Sequence, residues 1–179
     1  MIDQFVAPCH TTSSKQYVVI CVDQEQGERT NSRINEMLVW LQEGLRGRED
    51  VEVAFVYESP ALEVRPFQPL DRIYYKERCS EIRGSHSLLR LWCMGRVLLA
   101  DTVREQGAAR VRRRLILLTE GEITRRTAAA IAGMSVPEVE FEPYIIHLSE
   151  RGRLNLLREY LTKHNGGWIR YDKTRPFPF

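Results

Sequence analysis

Arg114–Glu122 reads R-L-I-L-L-T-E-G-E, an apolar run that stops abruptly at Thr119-Glu120-Gly121-Glu122. Tyr17–Val22, Y-V-V-I-C-V, runs in the same way into Asp23-Gln24-Glu25. Continuous runs of this kind are what strands need when a sheet is covered on both faces. Acidic residues directly after such strands fall at the carboxyl edge of a parallel sheet, where open α/β folds bind their ligands. Together the two stretches predict neighbouring strands whose acids share one crevice.

Outward from these strands, the periodicity switches between two and 3.6 residues. After a polar loop over residues 27–31, Ser32 is expected to cap a helix whose apolar face is Ile34, Met37, Leu38, Leu41 and Leu45. Val51–Tyr57 is β-branched and aromatic and reads as the second strand. Leu62–Leu70 contains Pro66 and Pro69, so it is an edge strand or a loop, because proline donates nothing to a ladder. Ile73–Gln106 reads as helix with a break near Arg83-Gly84-Ser85. A helix is expected over Ile123–Met134, where Ala128, Ala129, Ala130 and Ala132 permit close packing. A strand over Tyr144–Leu148, preceded by Glu142-Pro143, comes next. The following helix buries Leu154, Leu157, Tyr160 and Leu161. It ends at Asn165-Gly166-Gly167 as a left-handed C-cap would, before a last strand at Trp168–Tyr171.

Strands alternating with helices predict an α/β fold: a doubly wound, mostly parallel central sheet flanked by helices, with one antiparallel edge strand. Residues 1–15 are expected as a flexible lead-in, 16–172 as the domain and 173–179 as an aromatic, proline-rich tail that docks by its rings. A chain of 179 residues is long enough for one domain with a full core. The sequence has no run apolar enough to span a bilayer, and its first residues form no apolar signal segment, so a cytoplasmic location is expected.

Several chemistries are set aside by what the chain lacks. Its four cysteines form no C-x-x-C pair, which argues against a zinc site. There is no G-x-x-x-x-G-K-[ST], no G-x-G-x-x-G after the first strand, and no G-x-S-x-G nucleophile turn. A net charge of +2 does not call for nucleic acid. The basic residues Arg110 and Arg112–Arg114 precede their strand whereas Arg125 and Arg126 follow it, so they are expected at opposite ends of the sheet. Solvated charge or an acidic protein partner suits them better than a phosphate backbone. His86 reads as a surface-loop histidine and His147 as a core one.

The order and spacing of these pieces resemble a von Willebrand factor type A (vWA) domain. V-V-I-C-V-D-Q-E-Q-G stands where that family has a strand followed by D-x-S-x-S. L-I-L-L-T-E-G-E-I-T is similar to its strand followed by T-D-G, and G-S-H-S-L-L lies where a Gly-Thr loop opens a helix. L-L-R-E-Y-L-T-K-H-N-G-G-W-I-R-Y is similar to the family's last helix, turn and strand. The resemblance implies partner recognition at the carboxyl-end face, through Asp23, Glu25, Gly27, Ser85, His86, Ser87, Glu120 and Glu122. It also implies a metal-ion-dependent adhesion site, where few charges and several hydroxyls keep Mg²⁺ electrophilic toward a partner's acid.

Carried over residue by residue, Asp23, Glu120 and a hydroxyl from Ser85 or Ser87 are the ligands if an ion is held, with Ser85 the one preferred. Glu25 and Gly27, however, replace both serines, and Glu120 replaces the aspartate. Three carboxylates would largely neutralise a divalent ion, leaving a partner's carboxylate little to gain. The expectation is therefore a protein-binding adaptor or scaffold with a degenerate site and no cofactor, engaging a partner such as an ATPase, kinase or phosphatase. The alternatives are a Mg²⁺-dependent adaptor with a carboxylate-rich site, and a metal-dependent hydrolase using Asp23, Glu25 and Glu120. A purely structural subunit, pairing through Leu62–Leu70 or through Pro176-Phe177-Pro178-Phe179, is the remaining reading.

Overall fold

The computed structural model describes residues 15–23, 28–44, 50–58, 61–72, 88–106, 111–119, 123–134, 139–147, 155–172 and 174–175. In chain order the elements are β1 (Gln16–Asp23), α1 (Glu28–Gly44), β2 (Val51–Glu58), β3 (Leu62–Pro69), α2 (Leu88–Gln106), β4 (Arg112–Thr119), α3 (Arg125–Ala132), β5 (Glu142–His147), α4 (Asn155–Lys163) and β6 (Gly167–Arg170). The sheet order is β3-β2-β1-β4-β5-β6. β2, β1, β4, β5 and β6 run parallel, and β3 alone is antiparallel, at the edge. This is the doubly wound sheet expected, with its reversal of strand order between β1 and β4.

Every residue of β1 is buried, and so are the last six of β4. Alternate side chains serve opposite faces. Val18, Ile20, Val22, Ile116 and Leu118 meet Met37, Leu38 and Leu41 of α1. Val19, Cys21, Leu115 and Leu117 meet Leu91, Trp92 and Leu99 of α2, with Ile131 of α3 and Leu157 and Leu161 of α4. Burying one such side chain contributes roughly 1.5–3 kcal/mol, so these two layers, not local propensity, hold the strands in place. α2 lies tight on the sheet at Gly95, where an added Cβ would stand 2.4 Å from Leu115 Cδ1 and 2.9 Å from Cys21 Sγ.

The prolines act as expected in β3, whose register with β2 skips between Val53 and Phe55, opposite Pro66 and Phe67. Several element boundaries differ from the sequence reading, most clearly those of α1 and β5. α1 begins at Glu28, not Ser32; Thr, Asn and Ser cost a helix only tenths of a kcal/mol each, so they do not stop it. β5 takes in Glu142 and Pro143. Pro143 fits there because β6 begins only opposite Tyr144, so the missing N–H falls at the strand's open start.

The predicted left-handed cap is present, but Asn165 (φ 58°) supplies it, not a glycine. Gly166 N–H then donates to the Leu161 carbonyl at 2.8 Å. Gly166 serves a different need: a Cβ there would lie 1.7 Å from the Pro143 carbonyl oxygen. Beyond β6 the chain crosses to α1. Tyr171 packs edge-on against Trp40, whose Nε1–H donates to the Arg175 carbonyl at 2.6 Å. Pro176-Phe177-Pro178-Phe179, and the expected lead-in apart from Lys15, lie outside the described residues.

Candidate functional site at the carboxyl edge of the sheet

β1 and β4 are hydrogen-bonded neighbours, and Asp23 is in register with Thr119. Both side chains are buried, Asp23 at 7% exposure and Thr119 at 0%. The Thr119 hydroxyl donates to Asp23 Oδ2 at 2.7 Å, a charge-assisted bond that fixes the carboxylate's orientation. The apolar runs thus end as anticipated, side by side at the switch point of the sheet, with an acid facing the crevice.

Two further polar groups belong to this edge. Cys21, Leu117 and Ile145 all pack on the α2 side of the sheet. Two residues further along each strand, on the same side, come Asp23, Thr119 and His147. Thr119 is in register with His147, which is buried and stacked on Trp168 at 5.9 Å. On the other flank β2 runs one residue past the last β1–β2 pair, Val22 with Tyr57, and ends in Glu58. Glu58 ion-pairs with Arg90 in the first turn of α2 at 3.4 Å, its side chain only 11% exposed. Glu58, Asp23, Thr119 and His147 therefore end four consecutive strands in one polar row.

Sequence reading missed Glu58 and gave His147 a core role only. The signal for Glu58 was present: V-E-V-A-F-V-Y-E ends in an acid, as Y-V-V-I-C-V-D does. For His147 the sequence holds none, because only the register aligns it with Thr119. Glu25, Gly27, Ser85, His86, Ser87, Glu120 and Glu122 lie outside the described residues. Asp23 is thus the one predicted site residue whose position is described.

Asp23 accepts from Thr119, Glu58 is paired with Arg90, and among the described residues no three His, Cys, Asp or Glu side chains converge. Cys21, in the α2-side core directly below, is no nucleophile. Burial drives its thiol far above the ordinary range, and it donates to the Leu91 carbonyl at 3.2 Å.

The opposite edge of the sheet is basic. Arg114, 1% exposed, donates to Gln16 Oε1 at 2.8 Å and to Glu142 Oε2 at 3.0 Å, while Arg112 meets Glu142 Oε1 at 2.6 Å. Arg125 and Arg126 open α3 past the carboxyl end of β4, so the arginines form no single patch.

Solved structures with the same architecture carry the vWA fold. The chain superimposes on the ArnB paralog VWA2 of Sulfolobus acidocaldarius with a TM-score of 0.54 and 14% identity, over 90% of this chain and 42% of that one. An aerotolerance-related membrane protein of Bacteroides fragilis, solved with multiple mutations to serines, matches with a TM-score of 0.56 and 14% identity, over 89% and 92%. A von Willebrand factor type A structure from Catenulispora acidiphila matches with a TM-score of 0.52 and 15% identity, over 90% and 40%. The chain spans less than half the length of the Sulfolobus and Catenulispora structures. No family model and no curated protein matches the sequence. The fold is that of a vWA domain. Among the described residues no helix is long and apolar enough to cross a membrane.

Proposed function

We propose that this vWA-type domain is a protein-binding adaptor or scaffold that recognises its partner at the carboxyl-edge crevice and does so without a metal ion. One observation carries the reading: Asp23, the acid at the switch point, is buried and committed to the Thr119 hydroxyl. A carboxylate so engaged is a fixed wall of a recognition surface. The sequence supports the same view, since Glu25 and Gly27 stand in place of the two hydroxyls a metal-ion-dependent adhesion site uses, and Glu120 in place of its aspartate. The partner surface is formed by the loops after Asp23, before Leu88 and after Thr119. A cytoplasmic partner such as an ATPase, kinase or phosphatase fits this role.

The test is affinity capture from the native host with the wild-type chain, Glu120→Lys and Arg158→Glu, each with and without EDTA. Capture of one partner that survives EDTA and Arg158→Glu but is lost in Glu120→Lys supports the reading. Loss with EDTA, restored by Mg²⁺, would replace it with the metal-dependent adaptor. Hydrolysis of a phosphodiester or peptide substrate that Glu120→Ala abolishes would replace both with the hydrolase.

A further inference from the structure

At the amino edge of the sheet, remote from the crevice, a cleft of about 350 Å³ opens between the starts of β4 and β5 and the end of α4. Arg112, Arg113 and Lys163 line it together with Glu140, Glu142 and His164. Glu142 is already met twice, by Arg112 and by Arg114 behind it. Arg113 is different. Its guanidinium is half-buried and bonds only neutral oxygens, the Thr102 hydroxyl at 2.8 Å and the Val111 carbonyl at 3.4 Å. Burial draws it below its ordinary value, and no described carboxylate offsets that cost. Lys163, exposed at the end of α4, likewise has no described carboxylate partner.

We propose that this amino-edge cleft is a second binding site, which takes a carboxylate presented by an acidic segment of a partner protein between Arg113 and Lys163. The guanidinium fork and the flexible ammonium supply the donors a carboxylate needs, in a setting drier than open surface. Glu140 stands exposed on the wall. It repels a polyphosphate but tolerates one or two isolated carboxylates, which favours an acidic peptide over nucleic acid. The site does not depend on the carboxyl-edge reading, because it uses none of the same residues.

The experiment is fluorescence anisotropy of a labelled, otherwise neutral peptide carrying two separated glutamates with the full chain, against the same peptide with glutamines. Arg113→Gln, Lys163→Gln and Arg158→Gln remove the same charge, but Arg158 lies outside the cleft. Saturable binding of the glutamate peptide, about tenfold weaker for the glutamine peptide, is expected. Arg113→Gln should weaken it about tenfold, Lys163→Gln several-fold, and Arg158→Gln not measurably. Lys163 is exposed, so its variant stays informative if Arg113→Gln fails to fold. No saturation at millimolar protein overturns the proposal. So does equal weakening by Arg158→Gln, or displacement of the peptide by single-stranded DNA at lower concentration than by free peptide.

Discussion

Replacing Thr119 by valine is the sharpest probe of the carboxyl edge. It keeps the side chain's branching and removes the hydroxyl that donates to Asp23 Oδ2 at 2.7 Å. A hydrogen bond to a charged group contributes about 1.5–3 kcal/mol, and with Asp23 only 7% exposed little water can replace it. The expected loss is about 2 kcal/mol. With an urea slope of about 2 kcal/mol per molar, the unfolding midpoint falls by about 1 M. The single variants alone would not isolate the bond, so Asp23→Asn and the double variant complete a cycle, whose coupling should reach about 1–2 kcal/mol. Urea melts followed by circular dichroism at 25 °C give all four stabilities. A cost for Thr119→Val under about 0.5 kcal/mol, with no coupling to Asp23→Asn, would refute the view that this carboxylate is committed inside the protein. A Mg²⁺-dependent rise in wild-type Tm that Thr119→Val abolishes would refute it from the other side, by making both residues ligands.

Three further outcomes follow from the packing and the basic edge. Gly166→Ala should cost at least about 3 kcal/mol or prevent folding, since its Cβ would meet the Pro143 carbonyl at 1.7 Å, whereas Gly167→Ala, 3.6 Å from the Tyr144 ring, should cost under about 1 kcal/mol; parallel thermal melts decide. Burial pushes Glu142 up, but the bonds from Arg112 and Arg114 outweigh it and hold the carboxyl below its ordinary value. A folded-state value below the unfolded one gives stability that is present above the carboxylate range and lost as pH falls through the folded value. Glu142→Gln should therefore cost about 1–2 kcal/mol at pH 7 and show a shallower decline below about pH 4.5 than wild type in melts across pH. Trp40→Phe removes the Nε1 bond to the Arg175 carbonyl and should cost about 1 kcal/mol; an unchanged urea midpoint would mean the chain after β6 is not held there.

Most of the architecture was legible because it rests on local pattern. Apolar runs of strand length, interleaved with 3.6-residue periodicity, leave few arrangements that bury both kinds of surface, and the handedness of crossovers removes most of those. The prolines of β3 marked the edge strand for the same reason, since a missing donor is tolerated there. Boundaries were less legible. Nothing local distinguishes a polar stretch that starts α1 at Glu28 from one that precedes it, because Thr, Asn and Ser differ from good helix formers by only tenths of a kcal/mol each.

The sequence by itself determined that Asp23 closes one buried strand and Thr119 another, since composition alone says where an apolar run must stop. Only the tertiary structure decided what those ends do. Strand order and register are long-range choices, made when whole faces are buried together, and a slip of one residue would turn each side chain to the other face. The register sets Thr119 against Asp23 and carries the row on to His147. At the other edge the same pairing leaves Arg113 with no carboxylate among the described residues while Arg114 and Arg112 share one. Alternation along R-R-R turns Arg113 to the face opposite Arg112 and Arg114, but only the pairing of β4 with β5 brings Glu142 to those two.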